Sequence, residues 1–299
     1  MYYILYGFFY LLSLIPWRIL YFISDGFYFL FYYVFAYRKD VVLANLAIAF
    51  PEKTPEERIR IAKEFYKNFI DTFIETIKFL SLNDKGFNKR MSGNFEVLNE
   101  LYKTGQNVQL HGGHFFNWEY MNWGFARNSS YPLIGVYAPM SNKAVDRLLL
   151  KMRSRYKTIL INAYNFRNTF HEVSRGRYAL ALAADQNPPS PEKSFWINFL
   201  GQPTAFFMGP EKGARASNTA VAFVFNYKVK RGYYKSEILL ATTTPNDMPF
   251  GKLTADYVQF LEDCIRRKPS NYLWSHRRWK HKYNDSYSKN IIGPINHNA

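Results

Sequence analysis

Cysteine is nearly missing from this chain: among 299 residues there is only Cys264. It can form no internal disulfide, and a cysteine-based zinc site is excluded. The chain therefore fits a reducing, cytosol-facing location. The six histidines are scattered, with no pair at a ligand spacing and a third partner in view, so no metal dependence is expected. Acidic residues are scarce as well. The 23 Asp and Glu face 39 Lys and Arg, for a formal charge of +16. A surplus that large calls for an acidic partner: nucleic acid, an anionic membrane surface, an acidic protein or a phosphorylated substrate. No basic segment precedes the first apolar run and no small-residue cleavage site follows it, which argues against a secretory signal peptide. Internal repeats and long low-complexity stretches are absent. The length allows one large domain, or one domain with an added element.

What the chain has in quantity is aromatic. Phe, Trp and Tyr make up 19% of it, a density suited to a membrane interface, where one end of the ring is dry and the other wet. Residues 1–37 are almost wholly apolar. Pro16, Trp17 and Arg18 break the run, and Ser24, Asp25 and Gly26 interrupt it again. Tyr2 to Ile15 is too short for a span of about 20 residues, and Ile19 to Tyr37 is near that length but carries Asp25. The stretch reads as a retained membrane element, either one bent span or two helices lying in the interface. A very hydrophobic pair of core helices is the bland alternative. Arg38 and Lys39 favour a cytoplasmic C-terminal side. The division is therefore 1–40 as a membrane-anchoring element and 41–299 as an α/β domain.

Val41 to Pro51 has a short helical pattern. Thr54, Pro55 and Glu57 then supply an N-cap, a first-turn proline and a closed capping box. Ile61, Phe65, Phe69, Phe73 and Ile77 recur every four residues and predict an amphipathic helix reaching Leu80, with this stripe as core. Asn83 to Asn94 reads as a polar linker. Beyond it, strands are expected at Val108–Leu110, Leu133–Tyr137, Thr158–Ile161, Tyr178–Ala184, Ala220–Tyr227 and Glu237–Thr242, the last two joined by a polar turn at Lys228–Lys235. Helices are expected from Asn117 onward, at Ser141–Tyr156, Phe166–Arg175 and Leu253–Arg267. Such alternation predicts an α/β fold, a sheet covered by helices on both faces. The tail after Lys282 is polar and reads as frayed.

The chemistry concentrates in Gln109–Phe125. His114 follows the Gly112–Gly113 pair, and Glu119 lies five residues on. In an α/β fold, sites collect at the carboxyl ends of strands, which is where His114 would sit. Asn117 can cap the next helix, placing Glu119 in a first turn that favours a carboxylate. In one continuous helix, residues five apart would point about 140° away from each other. The pair is therefore useful only if His114 precedes the helix. A neutral imidazole can take a proton from a hydroxyl as its oxygen attacks a thioester, while a carboxylate holds the other ring N–H. The substrate then supplies the nucleophile, and none stands out in the protein. The bland reading of His114 is a polar residue at a strand end. His111 reads as structural, because the glycines precede His114, and His171 has no obvious partner.

The segment GHFFNWE, Gly113–Glu119, resembles the His-x4-Asp/Glu motif of the lysophospholipid acyltransferase superfamily. More narrowly, it is similar to the GHFGNWE-type sequence of the late acyltransferases of bacterial lipid A biosynthesis, with Phe116 at the usual Gly position. IPWRILYFISD (15–25), NLAIAFP (45–51), VYAPMSN (136–142), ADQ (184–186), FLGQPTA (199–205) and YLWSHRRWK (272–280) resemble that family in order along nearly the whole chain. The resemblance implies a glycerol-3-phosphate acyltransferase-like αβα fold with a mixed sheet. It implies transfer of a fatty acyl chain from acyl carrier protein, or acyl-coenzyme A, to a hydroxyl of a lipid A precursor at the cytoplasmic face of the inner membrane, with no cofactor. His114 is then the general base and Glu119 its orienting carboxylate. Asp185 matches the family's acidic site residue, and Arg153 and Arg155, ahead of Arg147, are candidates for its substrate-binding arginine. Each arginine has a bland reading as the solvated face of a basic helix, and Asp185 has one as a turn-former. A lysophospholipid, an amino-acid lipid or a glycosylated inositol lipid is the alternative acceptor.

Arg266–Lys282 interleaves basic residues with Tyr272, Trp274, His276 and Trp279. Such a block can bind nucleic acid by stacking, but beside a hydrophobic anchor a headgroup surface or a dock for acidic acyl carrier protein is favoured, and no nucleic-acid partner is expected. A non-catalytic basic membrane or nucleic-acid binder is the rival from another class.

Overall fold

The computed structural model describes residues 1–295. It begins with α1 (Tyr2–Leu14) and α2 (Trp17–Phe29), the latter running on into a wide π-type turn at Leu30–Val34. Pro16 breaks the run: its ring fixes φ and it has no N–H to continue the ladder of α1. The two helices meet at a bend of 112°; no single helix among the described residues is long and apolar enough to cross a membrane, and the bent pair passes only by length and composition. The polar interruptions of the sequence have partners in the body of the protein. The Ser24 hydroxyl donates to Asp71 (2.7 Å), and Asp25 pairs with Arg231 (2.8 Å). Leu20 and Tyr32 are buried in the core, whereas Ile4, Phe8, Leu11 and Phe22 are exposed.

Next come α3 (Lys39–Ala49) and α4 (Pro55–Lys78). The capping box at Thr54 is in place: Glu57 N–H donates to Thr54 Oγ1 (3.2 Å), and Thr54 N–H to Glu57 Oε2 (2.9 Å). The four-residue stripe only half holds. A repeat of four advances about 40° per step around a helix of 3.6 residues per turn. After three steps Phe73 has left the core face and is 50% exposed, and Ile70 and Ile74 are buried instead.

The polar stretch at 83–94 is not a linker. It holds α5 (Asp84–Asn88), capped by Asn83, and β1 (Met91–Gly93), an edge strand. The helix α6 (Glu96–Lys103) follows, buried through Leu98 and Leu101. The alternating region then runs β2 (Val108–Gly112), α7 (Trp118–Asn128), β3 (Leu133–Tyr137), α8 (Lys143–Arg153), β4 (Ile159–Asn162), α9 (Phe166–Val173) and β5 (Ala179–Ala183). A hairpin, β6 (Phe195–Phe199) and β7 (Gln202–Phe206), leads to α10 (Gly209–Ala216), β8 (Ala220–Lys230), β9 (Tyr233–Thr242) and α11 (Lys252–Arg267). The β6–β7 turn puts Leu200 and Gly201 at positive φ (51° and 82°), the mirror-image turn that matches strand twist.

The seven-stranded sheet has the order β1-β9-β8-β2-β5-β3-β4. From β8 to β4 the neighbours are parallel, while β9 is antiparallel to β8 and β1 parallel to β9. The expected mixed α/β sheet is therefore present. The helices α4 and α11 cover one face through Val221, Phe223 and Leu261; α6 and α7 cover the other through Leu98, Leu110 and Trp123. Two boundaries differ from expectation. The β8–β9 strands carry on through the polar residues 228–235 and turn at Arg231–Gly232, because the hairpin outruns the sheet. Residues 283–295 are docked: Tyr287 stacks on Trp196, and Ile292 N–H donates to Trp196 O (2.8 Å). Residues 296–299 of the expected frayed tail lie outside the described residues.

Candidate active site

The site follows from strand register. In the parallel pair β2–β5, Gly112 sits beside Ala183, the last residue of each strand. Two residues further along each chain stand His114 and Asp185, so register alone brings them to one level. Asp185 grips the histidine twice: its Oδ1 is 2.6 Å from His114 Nδ1, and its Oδ2 accepts the His114 backbone N–H (2.9 Å). Gly113 permits this approach, since a Cβ there would lie 2.7 Å from a methyl of Leu261 and 2.9 Å from the Phe115 ring. Tyr257 donates to the Gly112 carbonyl (2.7 Å), and Leu273 N–H donates to the His114 carbonyl (3.1 Å), which fixes the turn from below.

The carboxylate on Nδ1 sets the tautomer. Nδ1–H donates to Asp185, and Nε2 carries the lone pair. That lone pair faces the side-chain amide of Gln186 at 3.1 Å. The ring is 26% exposed, its partner carboxylate 1%. Burial disfavours the charged imidazole, but the Asp185 charge and hydrogen bond outweigh it and hold the His114 pKa above its ordinary value. Burial raises the Asp185 carboxyl, yet His114, its backbone N–H and Arg278 together hold it below the usual range.

The carboxylate expected to orient His114 is elsewhere. Glu119 lies in the first turn of α7, capped by Asn117, whose Oδ1 accepts Glu119 N–H (3.0 Å). It is bound by Arg153 at the end of α8, with Nε 3.0 Å from both carboxylate oxygens and Nη2 2.5 Å from Oε1. The reason is the helical turn between them: the cap directs the Glu119 side chain along α7 toward α8, while His114 remains on the strand. The carboxylate on the ring is Asp185, the residue expected to bind substrate. Arg153 reaches the site, but Arg155 donates to the carbonyls of Phe79 (3.2 Å) and Leu82 (3.0 Å) at the end of α4, and Arg147 lies over the Tyr2 ring. Phe116, at the usual glycine position, is buried against Phe65 and Phe69 of α4, and the peptide bond to Asn117 is cis.

His114, Glu119 and Arg153 all line a cavity of about 390 Å³ under α7. Its remaining walls are mostly apolar, and the sequence of β5 explains the space. In ALALA the alanines alternate with leucines, so Ala179, Ala181 and Ala183 share one face. Register sets Ala181 between Leu110 and Gly135, and the small side chains leave room that Trp118, Met121 and Phe125 of α7 roof over. The opposite face carries Leu180, packed with Ile134 and Ile161.

Several polar residues at the site were not singled out from the sequence. Glu75 of α4 is buried and accepts from Asn117 Nδ2 (3.1 Å), Tyr234 (2.7 Å) and Tyr21 (2.9 Å), and burial pushes its carboxyl up to about 6. Arg278 is buried, donating to Asn187 Oδ1 (3.1 Å) and Ala205 O (2.9 Å), with its Nε unpartnered. The periodicity of α4 gives a hint of Glu75, since it falls on the buried face. His111, as expected, is structural: burial lowers it to about 3, and the Gln109 amide lies 2.9 Å from Nε2. Cys264 is buried, and burial pushes its thiol up to about 12, away from the thiolate form. Among the described residues, no group of three or more His, Cys, Asp or Glu could hold a metal ion.

The sequence model of the bacterial lipid A biosynthesis acyltransferases matches residues 1–281. Over 246 residues the chain is 25% identical to a lipid A biosynthesis palmitoleoyltransferase of Escherichia coli K12, covering 81% of this chain and 79% of the relative. The same figures hold for a lipid A biosynthesis acyltransferase of Shigella flexneri. A lipid A biosynthesis lauroyltransferase of Escherichia coli K12 is 24% identical over 248 residues, with the same coverage.

Proposed function

Because the chain belongs to the bacterial lipid A biosynthesis acyltransferase family, we propose that it transfers a fatty acyl chain from acyl carrier protein to a hydroxyl of a lipid A-type glycolipid precursor. Acyl-coenzyme A is an alternative donor with the same thioester chemistry. The observation that supports this most is the His114 ring. Asp185 holds its Nδ1–H, and the ring lines an apolar cavity of about 390 Å³ suited to a hydrocarbon chain.

In this reading the acceptor hydroxyl displaces the Gln186 amide from Nε2 and gives up its proton there. Its oxygen attacks the thioester carbonyl, and a tetrahedral intermediate forms. As the C–S bond breaks, the imidazolium returns the proton to the departing thiolate. Asp185 stabilises the imidazolium throughout, and no protein nucleophile or cofactor takes part. A positioned base of this kind contributes about 10²–10⁴ in rate. Glu119 occupies Nε and Nη2 of Arg153 and so fixes the guanidinium at the cavity wall, where it can meet substrate. Catalysis by Glu119 is thus exerted through Arg153, not through the ring.

Residues 1–40 serve as the membrane-associating element and 41–299 as the catalytic unit, at the cytoplasmic face of the bacterial inner membrane. The exposed apolar side chains of α1 and α2 support this, because soluble surfaces rarely gather so many.

The test is mass spectrometry of total lipids from cells with the protein, without it, and with His114→Ala. The expected result is one acyl chain missing from lipid A in the last two, with phospholipids unaltered. A change confined to phospholipids, amino-acid lipids or inositol lipids would assign the other acceptor classes, and a normal acylation pattern with His114→Ala would exclude the base.

A further inference from the structure

A second cavity, of about 690 Å³, lies between α2, α4 and the β8–β9 hairpin and shares no lining residue with the first. Its charges do not cancel. Asp71, 1% exposed, accepts from Lys228 Nζ (2.9 Å) and Arg231 Nη2 (2.7 Å), and Asp25 takes the outer edge of the same guanidinium (2.8 Å). Two carboxylates are thus matched to two cations. Lys67, Lys230 and Lys268 also line the cavity and, among the described residues, form no ion pair. Their ammonium groups rest over rings instead, those of Tyr28 (5.3 Å), Tyr233 (4.4 Å) and Tyr227 (5.7 Å). The one lining carboxylate left to oppose these three cations is Glu64.

We propose that this cavity binds the phosphate of a membrane lipid headgroup. Its charge suits an anion, and its concave shape suits a small head better than the convex surface of an acidic protein. The surroundings select a lipid. Phe29 forms part of the wall and is itself exposed, and Phe22, Phe27 and Tyr33 of the same helical stretch are exposed too. An anionic head held by lysines, with hydrocarbon running over these rings, satisfies both surfaces at once. The bonds of buried Asp71 to Ser24, Lys228 and Arg231 tie α2 to α4 and the hairpin, so the cavity walls are fixed before a lipid arrives.

The site is tested by binding, without turnover, so its failure leaves acyl transfer untouched. Dihexanoyl-phosphatidylglycerol, monomeric in solution, and inorganic phosphate are titrated calorimetrically into the full chain in detergent. Three variants are compared: Lys67, Lys230 and Lys268 together replaced by Gln; Val229→Trp, which adds bulk at the cavity wall without altering charge; and Lys85, Lys143 and Lys193 together replaced by Gln, which removes the same charge elsewhere. We expect one saturable lipid site, weakened at least about 10-fold by the first two and within about 2-fold of wild type in the third, with inorganic phosphate competing more weakly. Equal loss in the first and third variants would reduce the effect to diffuse charge and overturn the site. Phosphate binding as tightly as the lipid would make it a free-phosphate site. Acyl carrier protein is titrated in parallel, and its loss in the first variant with lipid binding unaltered would make the cavity a protein dock and overturn the lipid site.

Discussion

Asp185 holds His114 by ring and backbone together, with its two oxygens 2.6 Å and 2.9 Å from Nδ1 and the amide nitrogen. Glu119, five residues along from the histidine, is held just as firmly by Arg153. The site therefore contains two buried carboxylates with separate duties. One fixes and polarises the His114 ring, and the other fixes a cation on the wall of the same cavity.

The two duties separate in a pH profile. With His114 as the proposed base and its pKa held above the ordinary value by Asp185, kcat/KM should fall as pH drops through a limb lying above about 6.5. Asp185→Asn removes the raising partner and leaves burial, which lowers the pKa. The limb then moves below its wild-type position, and the plateau drops by about 10³–10⁴ through loss of the correct tautomer. Glu119→Gln leaves the limb where it is. A limb that shifts with Glu119→Gln and stays put with Asp185→Asn would reverse the assignment.

The same pair makes stability depend on pH. The raised His114 contributes stability that is complete below its unfolded pKa, about 6.5, and is lost as pH rises through the higher folded value. The lowered Asp185 contributes stability present above its unfolded pKa, about 3.9, and lost as pH falls through the lower folded value. The stability gap between wild type and Asp185→Asn should therefore be widest between about pH 4 and 6.5. Urea unfolding at pH 5.5 and pH 9 measures it, and a gap that widens at pH 9 would contradict the pairing.

The sequence pointed to His114 and to the fold class but not to the carboxylate that holds the His114 ring, for a definite reason. A capping box, a proline and a Gly-Gly pair are local signals and are read locally; Thr54–Glu57 and Gly113 behave as their neighbours dictate. The bond between His114 and Asp185 depends on β2 pairing with β5, a choice made 71 residues apart. With Glu119 close in sequence, proximity along the chain stood in for proximity in space. The hairpin at Leu200–Gly201 stayed hidden because leucine rarely marks a positive-φ turn, and the linker reading of 83–94 failed because polar residues can form an edge strand.

The Glu119–Arg153 pair should matter for folding as well as for turnover. Glu119 is buried, and removing Arg153 leaves a carboxylate with no counter-charge. Arg153→Ala should cost about 3–5 kcal/mol, the usual penalty for breaking such a pair. The double variant Glu119→Ala, Arg153→Ala should recover part of that loss, since no orphan charge remains. Denaturant unfolding of both variants decides it, and equal destabilisation would mean the pair carries no such coupling.

Acyl-chain choice should follow the small residues of the sheet. Ala181 sits between Gly135 and Leu110 on the floor of the 390 Å³ cavity. Ala181→Leu fills space that the end of a long chain would use. Each methylene excluded forfeits about 0.8 kcal/mol of burial, so losing two or three reverses preference between a long and a shorter donor by roughly 10- to 100-fold. Competition between acyl-carrier-protein donors of different length reads this directly. An unaltered length preference in a folded variant would place the chain elsewhere.

Membrane association should depend on one face of α1. Ile4, Phe8 and Leu11 recur at helical spacing and are 79%, 57% and 67% exposed, so replacing them disturbs no core contact. Burying a large apolar side chain is worth about 1.5–3 kcal/mol, and the three together exceed what a single lysine gains near an anionic surface, about 1 kcal/mol. Changing all three to Gln should weaken flotation with phosphatidylcholine vesicles by at least about 100-fold, and added salt should not mask the loss. The His114–Asp185 pair lies outside this helix, so turnover of a soluble acceptor should persist. Undiminished flotation of a folded triple variant would show that this face is not the anchor and would move it to other exposed rings such as Phe22 and Phe29.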